Sequence, residues 1–450
     1  MLYRQALRYL ENWRESTSRK PLVIRGARQI GKTTLVDQLG SQYAHYVRYN
    51  LELVSDQGPF EVSTSIDDLV SRIQLTHNLE TSNLSQTLLF IDEIQASPKA
   101  MNWLRYFYES YPQLHVIATG SLLEHAISAG MTIPVGRVEY MVMHPMNFPE
   151  YLTALGHTQL ARTLTITPIS DSAHDLLMEH FMNYMILGGM PEVVQTYVDN
   201  PTDYTALEKT YSGLIQGYLE DIEKYASNPT DRKVLRHLVS NIPNQIHQRI
   251  KFQKFGNSTY RSREVGEAFR SLEMARLVDL IYPTTSTTLP ASINTKKRPK
   301  LHFLDTGLAM HMLGIQPHIS QLEKLSSDIR GSMMEQMIVQ EISSIQPSPL
   351  FKNKFWVRDK NDADAEIDLL YQHEHLLIPI EIKSGSAGKL RSLHQYMDRT
   401  DHQYAVRFYK GPLEVHEART TAGKSFFLMN MPAYLGTQIK EYVKWLIEQY

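Results

Sequence analysis

One short run constrains this 450-residue chain more than any other. Gly26-Ala27-Arg28-Gln29-Ile30-Gly31-Lys32-Thr33 fits the pattern G-x-x-x-x-G-K-[ST]. An apolar strand pattern (residues 21–24) precedes it and a helical pattern (residues 32–39) follows. The glycines let the backbone curl so that its N–H groups converge on one point. The following helix N-terminus adds the positive end of its dipole. A strand, loop and helix of this kind form a phosphate cradle. They demand a parallel sheet with helices on its faces, because each strand must be buried on both sides.

Other runs extend that sheet. Residues 88–91 are wholly apolar and end in Asp92-Glu93. Residues 115–118 form another such strand and end in Thr119-Gly120-Ser121. Adjacent acids at a buried strand end are costly unless a cation needs them. Asp92 fits an Mg²⁺ carboxylate and Glu93 the base that polarises an attacking water. Lys32 would reach the β- and γ-phosphates, and Thr33 would ligate Mg²⁺. The cradle as a whole covers Gly26, Ala27, Arg28, Gln29, Ile30, Gly31, Lys32, Thr33 and Thr34. Ser121, with Thr119 second, is the candidate for holding the water or sensing the γ-phosphate; either could instead cap the next helix. Arg137 is a candidate charge-stabilising arginine, with a structural ion pair as the alternative. The implied ligands are ATP and Mg²⁺.

Composition bears on the chemistry through one absence. The chain has no cysteine, which excludes disulfides, thiolate metal sites and thiol nucleophiles. Metal roles therefore fall to oxygen and nitrogen ligands. Lys+Arg is 46 and Asp+Glu 48, so net charge is only −2 and says nothing about nucleic acid. Residues 1–15 carry mixed charges and lack a leader pattern, and no stretch reaches a membrane-spanning length. The expectation is a cytoplasmic protein with no membrane partner.

With these motifs in place, the chain resembles the prokaryotic AAA-type ATPases fused to a C-terminal domain of unknown function. The likeness rests on residues 25–34, 88–95, 118–123, 136–150, 188–193 and 300–313, the last reading KLHFLDTGLAMHML. It implies ATP binding and hydrolysis at Lys32, Thr33, Asp92 and Glu93. It leaves the assembly open, although rings are common among AAA-type modules.

The remainder divides by pattern. An ATPase core is expected over residues 1–160, a helical lid or linker over 161–230, a winged-helix domain over 231–320 and a nuclease-like domain over 321–450. In the third segment, residues 262–277 read as a recognition helix. Residues 283–299 read as a long turn between two strands. Between 249 and 300, eleven basic residues face four acidic ones. Arg263, Arg270, Lys296, Lys297 and Arg298 are the candidate DNA contacts. A protein-binding face is the alternative.

The last segment carries Glu366-Ile367-Asp368 on one strand and Ile380-Glu381-Ile382-Lys383 on the next. Side chains alternate along a strand, so Glu381 and Lys383 share a face. This set resembles the PD-(D/E)xK nuclease pattern. That resemblance implies Asp368, Glu381 and the Ile382 carbonyl as Mg²⁺ ligands, with Lys383 beside them. It implies Glu335 as an accessory carboxylate, although Glu341 lies nearer the centre of its helix stripe. Gln395 is a weaker candidate. His373-Glu374-His375 reads as a polar hairpin tip. Three functions compete: an ATPase acting with DNA, an ATP-gated nuclease, and an ATP-driven switch that binds DNA or a protein partner.

Overall fold

The computed structural model describes residues 2–121, 123–128, 130–224, 226, 228–315, 325–359, 365–385 and 390–450. Its N-terminal sheet is built from β1 (Leu22–Arg25), β2 (His45–Asn50), β3 (Thr87–Asp92), β4 (His115–Gly120) and β5 (Glu139–Val142). The order is β2-β3-β4-β1-β5, and every pairing is parallel. Alternation along β1 explains why the run is continuously apolar. Leu22 and Ile24 enter one core, while Val23 enters the other core on the opposite face. The fold is therefore that of a P-loop NTPase, with β4 inserted between the cradle strand β1 and the acidic strand β3.

A helical region follows, from His174–Leu187 through Pro191–Asp199 and Tyr204–Glu223 to Pro229–Asn241 and Ser262–Met274. Asp305, just beyond the strand Lys300–Phe303, explains part of the KLHFLDTGLAMHML run. This buried carboxylate caps the helix Thr306–Met312 by accepting from Leu308 N (3.1 Å). It also accepts from Gly189 N (2.7 Å), tying the two family-like stretches together.

β6 (Val278–Ile281) pairs antiparallel with β8 (Lys300–Phe303). The segment between them is more than the long turn expected. It begins with β7 (Pro283–Thr284), which joins the C-terminal sheet beside β9 (Lys354–Val357). The partner strand lies some seventy residues onward, so no local pattern announces it.

The C-terminal sheet adds β10 (Glu366–His373), β11 (Leu376–Ile382), β12 (Tyr404–Tyr409), β13 (Glu414–Arg419) and β14 (Ser425–Pro432), in the order β13-β14-β12-β11-β10-β9-β7. β10 and β11 form a hairpin whose turn contains Glu374 at φ 49°. His373-Glu374-His375 is that tip. The helix Ser327–Ser344 lies between the two halves of the molecule. Its Glu341 is fully buried and accepts from Phe148 N (3.1 Å) and Tyr184 Oη (3.0 Å). One hydrophobic core thus runs from Leu10 through Ile24, Phe148, Ile338 and Ile380 to Leu446.

Candidate functional site

The cradle forms at the carboxyl ends of the parallel strands, where open α/β sheets bind ligands. Gly26 (φ 154°) passes so close to the next strand's continuation that a Cβ would lie 2.5 Å from Met143 O. Gly31 (φ 89°) turns the chain into the helix Lys32–Gly40. Both positions thus need glycine for a stated reason.

The Lys32 ammonium is buried and donates to the loop's own carbonyls, Gly26 O (3.0 Å) and Ala27 O (2.7 Å). Burial lowers its pKa to about 8, against the opposing pull of Glu93 and Asp92. Thr33 Oγ1 donates to Asp92 Oδ2 (3.0 Å). Asp92 also accepts from Thr119 Oγ1 and from Arg48 Nη2 (3.0 Å). Glu93, in the left-handed region at φ 51°, accepts from Ser121 Oγ (3.0 Å) and Gln95 Nε2 (2.6 Å). The two strand-tip hydroxyls therefore serve different acids: Thr119 holds Asp92, and Ser121 holds Glu93. The oxygen donors of Thr33 and Asp92 suit Mg²⁺, which takes carboxylate and hydroxyl oxygen.

The sequence overlooked several neighbours. Arg48 on β2 reaches Asp92 across the sheet. Arg28 pairs with Asp221 and with Glu52 (3.1 Å), and Tyr218 Oη donates to Arg28 O (2.7 Å). The helix Tyr204–Glu223 is thereby fastened over the loop. Beyond Ser121, Glu124 lies 3.6 Å from Arg25 and 2.9 Å from Arg276. Only tertiary contacts reveal these pairs. Of the expected cradle residues, Gln29 and Thr34 are exposed.

Arg137 is not brought to this site. It precedes β5, at the sheet edge opposite the cradle, and pairs with Glu109 (2.8 Å) on the exposed surface. A role within its own cradle is excluded by strand polarity.

The expected nuclease-like residues do converge, around an unexpected centre. Lys300 Nζ lies 2.8 Å from Glu366, 3.3 Å from Glu335 and 3.3 Å from Asp368. Asp368 also accepts from Ile382 N (2.9 Å), and Glu381 pairs with Lys383 (2.5 Å). Burial, then Asp368, pushes the Glu381 carboxyl up to about 7. Burial, then Glu335, raises that of Asp368. Among the described residues, no three His, Asp or Glu side chains are arranged to hold a metal ion. The Mg²⁺ expected at Asp368 and Glu381 does not fit, because an ammonium stands among the carboxylates. Gln395 accepts instead from Arg358 (3.3 Å).

The basic segment is also partly spent on internal contacts. Lys300 is buried, Arg276 pairs with Glu124, and Arg270 pairs with Glu267 (2.9 Å). Lys297 lies 4.0 Å from Asp359. Arg263, Lys296 and Arg298 remain exposed.

Residues 18–152 match the family model of an AAA domain. This stretch is an AAA-type P-loop ATPase-like domain. Residues 178–319 match a domain of unknown function (DUF8612), and residues 330–433 another (DUF4143). No curated protein matches the chain as a sequence relative. Among solved structures it is similar to the Walker-type ATPase paby2304 of Pyrococcus abyssi, at 15% identity and a TM-score of 0.44, over 70% of this chain and 96% of that one. It is also similar to the S. cerevisiae Hsp104–ADP complex, at 13% identity and a TM-score of 0.29, over 77% and 43% of the two chains. The Aeropyrum pernix ORC1 protein in complex with DNA matches at 11% identity and a TM-score of 0.27, over 72% and 94%. No helix among the described residues is long and apolar enough to cross a membrane.

Proposed function

We propose that the chain is an Mg²⁺-dependent ATPase whose turnover is passed from the cradle to the helical middle of the molecule. One observation carries this reading: Lys32, Thr33, Asp92 and Glu93 meet at one sheet edge, with a hydroxyl on each acid. Lys32 exchanges its two loop carbonyls for the β- and γ-phosphates. The backbone N–H groups of the loop hold the remaining phosphate oxygens. Thr33 and Asp92 would hold Mg²⁺, which neutralises charge on the phosphates when bound. Glu93 polarises the attacking water, and Ser121 keeps Glu93 oriented. Glu124, three residues beyond Ser121 and paired with both Arg25 and Arg276, passes the change onward. The four segments 1–160, 161–230, 231–320 and 321–450 are then engine, lid, transmitter and end domain.

The test is nucleotide affinity in Lys32→Ala. Loss of ATP binding is expected, and ATP affinity equal to wild type removes the core of the proposal. A turnover assay separates an ATPase from a slow switch, which would hold ATP for many minutes.

A duplex-DNA contact is the second part of the reading. It is supported by the order of Pro229–Asn241, Ser262–Met274, β6 and β8, which suits a winged helix, and by the exposure of Arg263, Lys296 and Arg298. Charge reversal of Lys296 and Arg298 should weaken DNA binding and flatten its salt dependence. Unchanged binding would leave this face for a protein partner.

A further inference from the structure

One arginine outside the cradle motif holds the cradle from behind. Arg4 precedes the helix Ala6–Glu15 and is only 7% exposed. Its Nη1 donates to Ile30 O (2.8 Å), on the residue before Gly31. Its Nη2 donates to His144 O (2.6 Å) and its Nε to Glu150 Oε2 (2.9 Å). A guanidinium presents its donors in a fixed planar fork, so one side chain joins three separate segments.

The frame behind Arg4 is itself fixed. Glu150 is buried and also accepts from Gln5 N (2.6 Å) and Asn147 N (3.1 Å). It lies in the first turn of the helix Phe148–Ala154, whose Phe148 N donates to Glu341 of the helix Ser327–Ser344. The Ile30 carbonyl is thereby tied, through Arg4 and Glu150, to a buried network that reaches the C-terminal half. Buried charges held this way keep one geometry, because every alternative leaves one of them unanswered.

The consequence falls on the next peptide atom. A trans peptide is planar, so its C=O and its N–H point to opposite sides. Holding Ile30 O on one side turns the Gly31 N–H to the other. Among the described residues, that N–H donates to no hydrogen bond. Gly31 itself, at φ 89°, has the backbone freedom to aim it elsewhere.

We propose that Arg4 is a positioning residue of the cradle: it pins the Ile30 carbonyl outward and so aims the Gly31 N–H at the β-phosphate. This inference rests on the ATP reading of the cradle and adds a residue outside the stretch matched by the AAA family model, residues 18–152. The β-phosphate is common to ATP and ADP, so both nucleotides depend on Arg4 equally. Glu93 and the attacking water are untouched, so the contact acts on binding and not on the chemical step.

The test is nucleotide titration and single-turnover hydrolysis with the full-length chain. In Arg4→Lys, which keeps the charge opposite Glu150 but not the fork, affinity for ATP and for ADP should each fall about tenfold, with hydrolysis of bound ATP within about twofold of wild type. Trp13→Ala loosens the same N-terminal helix, where Trp13 is buried and donates to Lys20 O. It should melt lower yet bind ATP within about twofold of wild type. Wild-type ATP affinity in folded Arg4→Lys would overturn the proposal. So would slowed hydrolysis with affinity intact, or a Trp13→Ala variant that loses as much affinity as Arg4→Lys. Arg4→Gln carries the same comparison if Arg4→Lys does not fold, and failure of both to fold makes Arg4 a residue of the fold and overturns the proposal. Lys32→Ala in the same titration separates this inference from the reading beneath it. If it too binds ATP like wild type, the cradle reading is lost; if it alone loses ATP, only the role of Arg4 is lost.

Discussion

Two buried lysines, Lys32 and Lys300, sit beside carboxylates in this molecule, and they are treated in opposite ways. Lys32 rests on two carbonyl dipoles, and among the described residues no carboxylate comes within ion-pairing distance of it. Lys300 is surrounded by three carboxylates. Burial therefore wins at Lys32 and lowers its pKa, to about 8. At Lys300 burial works in the same direction, but Glu335, Asp368 and Glu366 override it and raise the pKa. A buried cation without a counter-ion favours an anionic ligand. One that is fully answered holds the fold together.

The largest effect expected is catalytic and belongs to the open site. Glu93→Gln keeps the shape and the Ser121 contact but removes the base. Turnover should fall by about 10²–10⁴ while ATP binding persists. Single-turnover hydrolysis beside nucleotide titration checks this; equal loss of both would mean that Glu93 builds the pocket rather than polarises water.

The next effect belongs to the closed site. Lys300→Met removes the buried cation that three half-buried carboxylates share, leaving Glu366 only the more distant Arg249, and breaking such a set costs about 3–5 kcal/mol. The urea midpoint should fall accordingly. Lys32→Met removes a buried cation that has no carboxylate partner, so its urea midpoint should hold or rise while ATP binding is lost. If both variants lose equal stability, the contrast between the lysines is false.

These two sites were unequally legible. The cradle is contiguous, residues 26–33, and strand, loop and helix follow in order, so spacing alone identifies it. Asp92 and Glu93 stand out because acids end an apolar run. Thr119 and Ser121 are two apart on one strand tip, and only the structure assigns one to each acid. In the C-terminal half, Asp368 and Glu381 lie on the neighbouring strands β10 and β11 that the alternation pointed to, and Lys383 follows directly after the end of β11. Lys300 was hidden for a physical reason. Its partners lie 35 to 68 residues away on separate elements, and no local period encodes such a contact. Counted with its basic neighbours, it looked like a surface charge. The two residues of β7 were hidden in the same way, because their partner strand is remote.

The charge of Lys32 gives a smaller, pH-dependent effect. In the nucleotide-free chain its pKa is about 8. Phosphates favour the charged form, so the bound pKa is higher. ATP binding then takes up a proton above pH 8 and is insensitive to pH well below it. Affinity should fall about tenfold per pH unit above that point, until the bound pKa is reached. ATP titration between neutral and alkaline pH reads this directly. A flat profile would mean that Lys32 is charged throughout and that its carbonyl contacts do not desolvate it. Loss of affinity only at acid pH would place the controlling proton elsewhere.

The smallest effect expected is at Arg137, and it tests the reach of a single cradle. This arginine pairs with Glu109 on the exposed surface at the far edge of the sheet. Exposed ion pairs of this kind add little, so Arg137→Ala should leave turnover within about twofold of wild type in dilute protein. Raising the protein concentration turns the same variant into a test of assembly. Strand polarity keeps Arg137 from its own ATP but not from a neighbour's. A turnover defect that grows with concentration would therefore assign it to a second copy, and equal rates at every concentration would leave it structural.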